Sequence, residues 1–152
     1  GDVYSLCGVF SQVAYFCHMV KEVTLENIDA FAAQLITQFS HKIILLKGDL
    51  GAGKTTLVKA IFASLGASDE VSSPTFGIAN EVQLPEEKAY HLDLYRIEHS
   101  EELAQFGFEE YLYSGGYCFI EWPEVATAYI PETHHTISID TIDATTRKIT
   151  FV

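Results

Sequence analysis

Residues 48–56 read GDLGAGKTT, a run with Gly48, Gly51 and Gly53, one cation, Lys54, and two hydroxyls, Thr55 and Thr56. The spacing fits G-x-x-x-x-G-K-[ST]. Glycines so placed let the backbone fold back until several N–H groups point at one anion, and a following helix adds the partial positive charge of its N-terminus. Lys54 is placed to reach the β- and γ-phosphates of a nucleotide, and the Thr55 hydroxyl to coordinate Mg²⁺. A phosphate loop also needs an acid on a neighbouring strand to hold the ion, directly or through water. Two apolar runs supply one: YHLDLY carries Asp93 and CFIEW carries Glu121. Both acids are expected at the carboxyl edge of a sheet, where open α/β sheets bind ligands. The residues by themselves leave open which acid meets the ion. SSPTF sets three hydroxyls around Pro74, and Ser73 or Thr75 suits a loop that senses the γ-phosphate as well as a plain turn. Trp122, the one Trp, directly follows Glu121 and suits either the core or the site.

The elements that must position these residues are legible around them. KIILLK, before the glycines, reads as a buried strand. TTLVKAIFASLG, after them, carries Leu57, Ala60, Ile61 and Leu65 at helical spacing, with Gly66 placed to end the helix. Upstream, Leu25, Ile28, Phe31, Ala32, Leu35, Ile36 and Phe39 form a helical stripe that Thr24 or Asn27 can cap. FGIANEVQL predicts a strand, LPEEK a turn, KAYHLDLYRI a strand ending near Asp93, and GGYCFIEWPE a strand ending at Glu121 and stopped by Pro123. HSEELAQFGFEEYL predicts helix with Ser100 as cap and Gly107 as a break. HHTISIDTI and RKITFV alternate as half-buried strands of a terminal hairpin. His134 and His135 are adjacent, so in a strand they point to opposite faces, and both are expected at the surface. The organisation predicted is one α/β domain with a parallel core and antiparallel strands at an edge.

Composition narrows the function. The chain has 152 residues, 48% of them hydrophobic, enough for one domain with a real core. A net charge of −12, with nine basic against twenty-one acidic residues, disfavours a general nucleic-acid surface. Cys7, Cys17 and Cys118 are odd in number and form no C-x-x-C, which suits a reducing cytosol better than a disulfide framework or zinc site. No N-K-x-D guanine-reading motif occurs, since Asn27 and Asn80 are the only asparagines. Arg96 and Arg147 are the only arginines, too few for the clamp of a small-molecule kinase. Residues 1–18 are apolar without a basic region, and Ser5, Ser11, Gln12 and His18 interrupt the run, which disfavours a signal peptide or a spanning helix. Met19 is the only methionine, and an ordinary domain over 19–152 can begin there. Residues 1–18 are then an extension outside the catalytic unit, expected to pack on the domain or to join it to another copy.

GDLGAGKTT, SSPTF, HLDLYR, EEL…FGFEEYL and FIEWPE occur in this order with short spacings. Together they resemble the TsaE family, also called YjeE, P-loop ATPases of bacterial tRNA threonylcarbamoyladenosine biosynthesis, over about residues 22–152. The resemblance implies a P-loop NTPase-like sheet with a parallel core, antiparallel edge strands and helices on both faces. It implies a cytoplasmic protein that binds ATP and Mg²⁺, hydrolyses ATP weakly alone, works with TsaB and TsaD, and meets tRNA only through that complex. Carried over motif by motif, Gly51, Ala52, Gly53, Lys54, Thr55 and Thr56 bind the phosphates, and Thr55 and Glu121 ligate Mg²⁺. Asp93 lies near the metal or the attacking water, Thr75 is the switch-loop threonine, and Trp122 sits beside the site. The segment before the first helix, with Thr24 and Glu26, lies near the base. Residues 1–18 have no counterpart. Two other functions fit the same loop: a small-molecule or protein kinase, and a nucleotide-dependent scaffold without useful turnover.

Overall fold

Apolar runs of period two and of period three to four alternate along the chain. In the computed structural model, which describes residues 4–10, 13–68 and 77–152, with side chains from Met19 onward, they become an eight-stranded mixed sheet with helices on both faces. The chain begins with a hairpin, β1 (Tyr4–Phe10) and β2 (Val13–Val23), and continues through α1 (Ile28–Leu35) and a 3₁₀ turn at Ile36–Gln38. β3 (Ile43–Lys47) and α2 (Lys54–Ser64) flank the glycine loop. β4 (Ala79–Gln83), β5 (Lys88–Asp93), α3 (Glu101–Gln105), α4 (Phe108–Leu112) and β6 (Tyr117–Glu121) follow. A 3₁₀ turn at Pro123–Ala126 leads to the closing hairpin of β7 (His135–Thr141) and β8 (Arg147–Phe151).

The strand order is β1-β2-β8-β7-β3-β6-β5-β4. The central strands β7, β3, β6 and β5 are parallel, and every pairing outside them is antiparallel. β3 explains this arrangement at the level of residues. Ile43, Ile44, Leu45 and Leu46 are all buried, as a strand covered on both faces requires. Ile44 and Leu46 pack with α1 and α2 through Phe31, Leu35, Leu57 and Ile61. Ile43 and Leu45 face the other way, toward Leu103, Phe108 and Leu112 of α3 and α4. The helix spacing read from the sequence therefore lands on two separate cores divided by one sheet.

Local details depart from the sequence reading. Leu25, assigned to the first helical stripe, lies outside α1 and is 76% exposed. Asn27 occupies the cap position, but its Oδ1 accepts the Thr24 N–H at 2.7 Å instead of a helix donor, closing a turn ahead of α1. Ser100 makes no side-chain cap either; Glu102 Oε2 accepts from the Glu98 and His99 N–H groups at 3.0 and 2.9 Å. Gly107 does break the helix, at φ 72° between α3 and α4. β2 is one strand from Val13 to Val23, and its pairing with β8 covers Met19 to Val23.

His135 corrects a clear expectation. It is buried, not at the surface. Its Nε2 accepts the backbone N–H groups of Ser40 and His41 at 2.9 and 3.0 Å, and its Nδ1 lies 3.2 Å from the Val152 carbonyl. Only the neutral ring with its proton on Nδ1 satisfies all three, because Nε2 must accept while Nδ1 donates. His134 precedes β7 and is half-buried, its Nδ1 2.6 Å from the Pro131 carbonyl, so strand alternation applies to His135 alone, and both faces of this sheet are covered.

Candidate functional site

β3 ends at Lys47, and the glycine loop turns over its carboxyl end into α2. Gly48 is there for packing: a Cβ would stand 2.8 Å from the Ile139 carbonyl of β7. Gly51 and Gly53 are there for conformation, at φ 80° and 102°, where a side chain is strained. A Cβ at either would meet nothing within 4 Å, so both α-carbons border open space. The loop is thus a concave backbone surface at a helix N-terminus, the arrangement that receives an anion.

Four polar or charged side chains are buried among the described residues: Lys54, His91, Glu121 and His135. Three of them meet at this loop. The Glu121 carboxylate, at the end of β6, accepts the Thr55 hydroxyl on Oε2 at 3.0 Å and the His91 imidazole on the same oxygen. Burial pushes the Glu121 carboxyl up, but His91, Thr55 and Lys54 together outweigh it and hold the group below its usual range. Glu121 is therefore ionised at neutral pH. Lys54 donates to the Gly48 carbonyl at 2.6 Å, and its ammonium stands 3.7 Å from the centroid of the Trp122 ring, a cation–π contact. Trp122 has φ 55°, the only positive value at a non-glycine position among the described residues. That left-handed step takes the chain from β6 straight into Pro123 and lays the indole beside Lys54.

Asp93 is brought to the same edge. In the parallel register it pairs with Glu121, so the two carboxylates leave the sheet at one level and on one face. Their environments differ: Asp93 is exposed, with Oδ1 accepting the Tyr95 N–H at 3.0 Å. Thr24 and Glu26, expected near the base, line a groove of about 640 Å³ together with Gly51, Ala52, Gly53 and Thr56. Ser73 and Thr75 lie outside the described residues.

Two residues escaped the sequence reading. His91 sits inside the HLDLYR run, two positions before Asp93 and so on its face, and that spacing was the available signal. Arg147 borders the groove, where Nε donates to the Ala52 carbonyl at 2.9 Å and Nη1 to the carbonyls of Asp143 and Thr146 at 2.8 and 3.1 Å. Its contact with the loop spans 95 positions of sequence, and no local pattern announces it.

The donor set suits one kind of ion. Among the described residues no three His, Cys, Asp or Glu side chains form a metal cage. One hydroxyl beside one carboxylate, at an anion-receiving loop, is an all-oxygen partial set. It fits Mg²⁺, which keeps several waters and takes phosphate oxygens as further ligands.

The family model for threonylcarbamoyl adenosine biosynthesis protein TsaE matches residues 23–149. The TsaE protein of Haemophilus influenzae is 37% identical over 115 residues, 74% of this chain and 73% of that protein. That of Bacillus subtilis is 38% identical over 109 residues, covering 72% and 68%, and that of Synechocystis is 42% identical over 106 residues, covering 66% of each. The crystal structure of Bacillus subtilis YdiB superposes with a TM-score of 0.70 at 29% identity, over 88% of this chain and 84% of that one.

Proposed function

The chain belongs to the TsaE family, with its role in tRNA threonylcarbamoyladenosine biosynthesis, and from that premise we propose that it is the Mg²⁺-dependent, weakly hydrolysing ATPase subunit of that pathway. It acts in the cytoplasm with TsaB and TsaD and meets tRNA through them. No helix among the described residues is long and apolar enough to cross a membrane. The observation that carries the reading is the meeting of an open glycine loop with a buried Glu121 carboxylate hydrogen-bonded to Thr55.

In this reading residues 51–56 cradle the phosphates through backbone N–H groups and the α2 N-terminus. Lys54 leaves the Gly48 carbonyl and the Trp122 face for the β- and γ-phosphates, and neutralises charge that grows during transfer. Thr55 and Glu121 would hold Mg²⁺, which when bound would supply further positive charge to the phosphates. Asp93, exposed at the same level, positions the attacking water. The groove beside Thr24 and Glu26 receives the base, and the Arg147 contacts keep the loop and the closing hairpin in fixed relation around it. Thr75 serves as the switch-loop threonine.

Lys54→Ala tests this. Phosphate release should fall by about 10²–10³-fold, the usual cost of removing one preorganised donor to developing charge. Equilibrium binding of ATP should weaken as well. Near-normal phosphate release in a folded variant refutes the assignment, and phosphate transfer to an added acceptor in place of release favours a kinase.

A further inference from the structure

We propose that His91 is a positioning residue for Glu121, holding its carboxylate in the orientation that captures the ion; this rests on the reading of Glu121 as an Mg²⁺ ligand. The juxtaposition comes from strand register. His91 pairs with Phe119 in the parallel β5–β6 ladder, and Glu121 is two residues further along β6 on the same face. The imidazole thus stands one rung behind the carboxylate, on the next strand, and its Nε2 meets Oε2. A carboxylate can only accept, so His91 presents Nε2–H. The Thr55 hydroxyl reaches the same oxygen at 3.0 Å, so both described hydrogen bonds fall on Oε2 and neither engages Oε1.

The other charged groups nearby do not fill this role. Lys54 spends its ammonium on the Gly48 carbonyl and the Trp122 ring. Asp93 is turned outward to the Tyr95 N–H. Without His91, the Glu121 carboxylate keeps Thr55 as its one described hydrogen-bond donor, in a place where only 4% of the residue is exposed. A buried carboxylate with too few donors rotates toward water, and that change removes an ion ligand from its place. The Thr55 hydroxyl also loses its fixed acceptor geometry. His91 itself touches neither ion nor nucleotide in this scheme; it acts through Glu121, as partners of metal ligands generally do.

The test measures Mg²⁺ directly in binding, apart from turnover. Equilibrium affinity for the non-hydrolysable analogue AMP-PNP is followed across a Mg²⁺ titration in wild type, His91→Leu, His91→Gln and His91→Asn, with melting temperature recorded for each. His91→Leu should raise the Mg²⁺ midpoint roughly tenfold, in the range seen when partners of metal ligands are removed. His91→Gln keeps an amide N–H donor at similar reach and should stay near wild type. His91→Asn is too short and should behave like His91→Leu. At saturating Mg²⁺ the KM for ATP should hold while kcat falls in the Leu variant. A folded His91→Leu with the wild-type midpoint overturns the proposal; if that variant does not fold, equal midpoints for the Gln and Asn variants overturn it. Glu121→Gln runs in parallel: an unchanged midpoint there defeats the metal reading of Glu121 itself and the His91 proposal with it, whereas a shift there but not at His91 defeats the positioning role alone.

Discussion

His91 and His135 stand in one row of the sheet. Parallel register links His91 to Phe119, Phe119 to Ile44 and Ile44 to His135, so all four lie at the same level on the same face. Both histidines are buried. Their partners lie in opposite directions. His91 reaches toward the carboxyl ends of the strands and donates to a carboxylate at the glycine loop. His135 reaches toward the amino ends, where it accepts from the Ser40 and His41 amides just before β3. Phe39 and Phe151 pack against the His135 ring, with centroids 5.8 and 4.7 Å away. One imidazole serves a carboxylate at the ligand edge; the other accepts two backbone N–H groups at the opposite ends of the strands. The difference teaches that burial alone does not mark a functional histidine. What its nitrogens meet, an ionisable side chain or the backbone, decides the matter.

The widest gap between the two ends should appear in metal dependence. Glu121→Gln keeps size and removes the charge that holds the ion, so the Mg²⁺ concentration for half-maximal hydrolysis should rise at least tenfold. Asp93→Asn, at the same level but exposed, should lower turnover at saturating Mg²⁺ and leave that midpoint in place. Metal titrations of both variants decide, and the opposite pattern would reverse the two carboxylates' roles. His135→Leu should leave the Mg²⁺ midpoint and nucleotide affinity unchanged.

A smaller effect, on stability, should belong to the other end. His135→Leu leaves two partly buried amides without their acceptor and should destabilise by about 2 kcal/mol in chemical denaturation. A loss of nucleotide affinity in this variant, measured where it is fully folded, would erase the contrast.

The smallest expected effect is one of pH. Burial first, and then the neighbouring His41 and His134, pull the His135 imidazole below its usual range, against the Val152 carbonyl, which raises it. The unfolded chain therefore takes up this proton before the folded one does. The stability due to His135 is complete above about pH 6.5 and is lost as pH falls from there through the folded value. Denaturation midpoints at pH 7.5 and 5.5 should differ more in wild type than in His135→Leu. Equal differences would show that His135 does not titrate as its contacts demand.

Much of this protein was written locally. The period-two and helical patterns located every element from α1 to β8 to within a few residues, because each carries its own apolar face. The glycine loop was legible because positive φ and close approach to β7 both demand glycine, so the backbone's needs appear as letters. The family followed from five short motifs in order. The limits were equally local in cause. Leu25 continued a helical period beyond the turn that Asn27 closes, and periodicity holds no information about that turn. His135 looked like a surface residue because alternation assigns faces without saying which faces are covered. Strand register, a relation between segments far apart in sequence, set Glu121 beside Asp93, aimed His91 at Glu121, and put Arg147 against Ala52. Sequence by itself determined which residues could do chemistry. The tertiary structure decided which of them meet, since hydrogen bonds between strands and across 95 positions are fixed by how the sheet closes and by no pattern within a single strand.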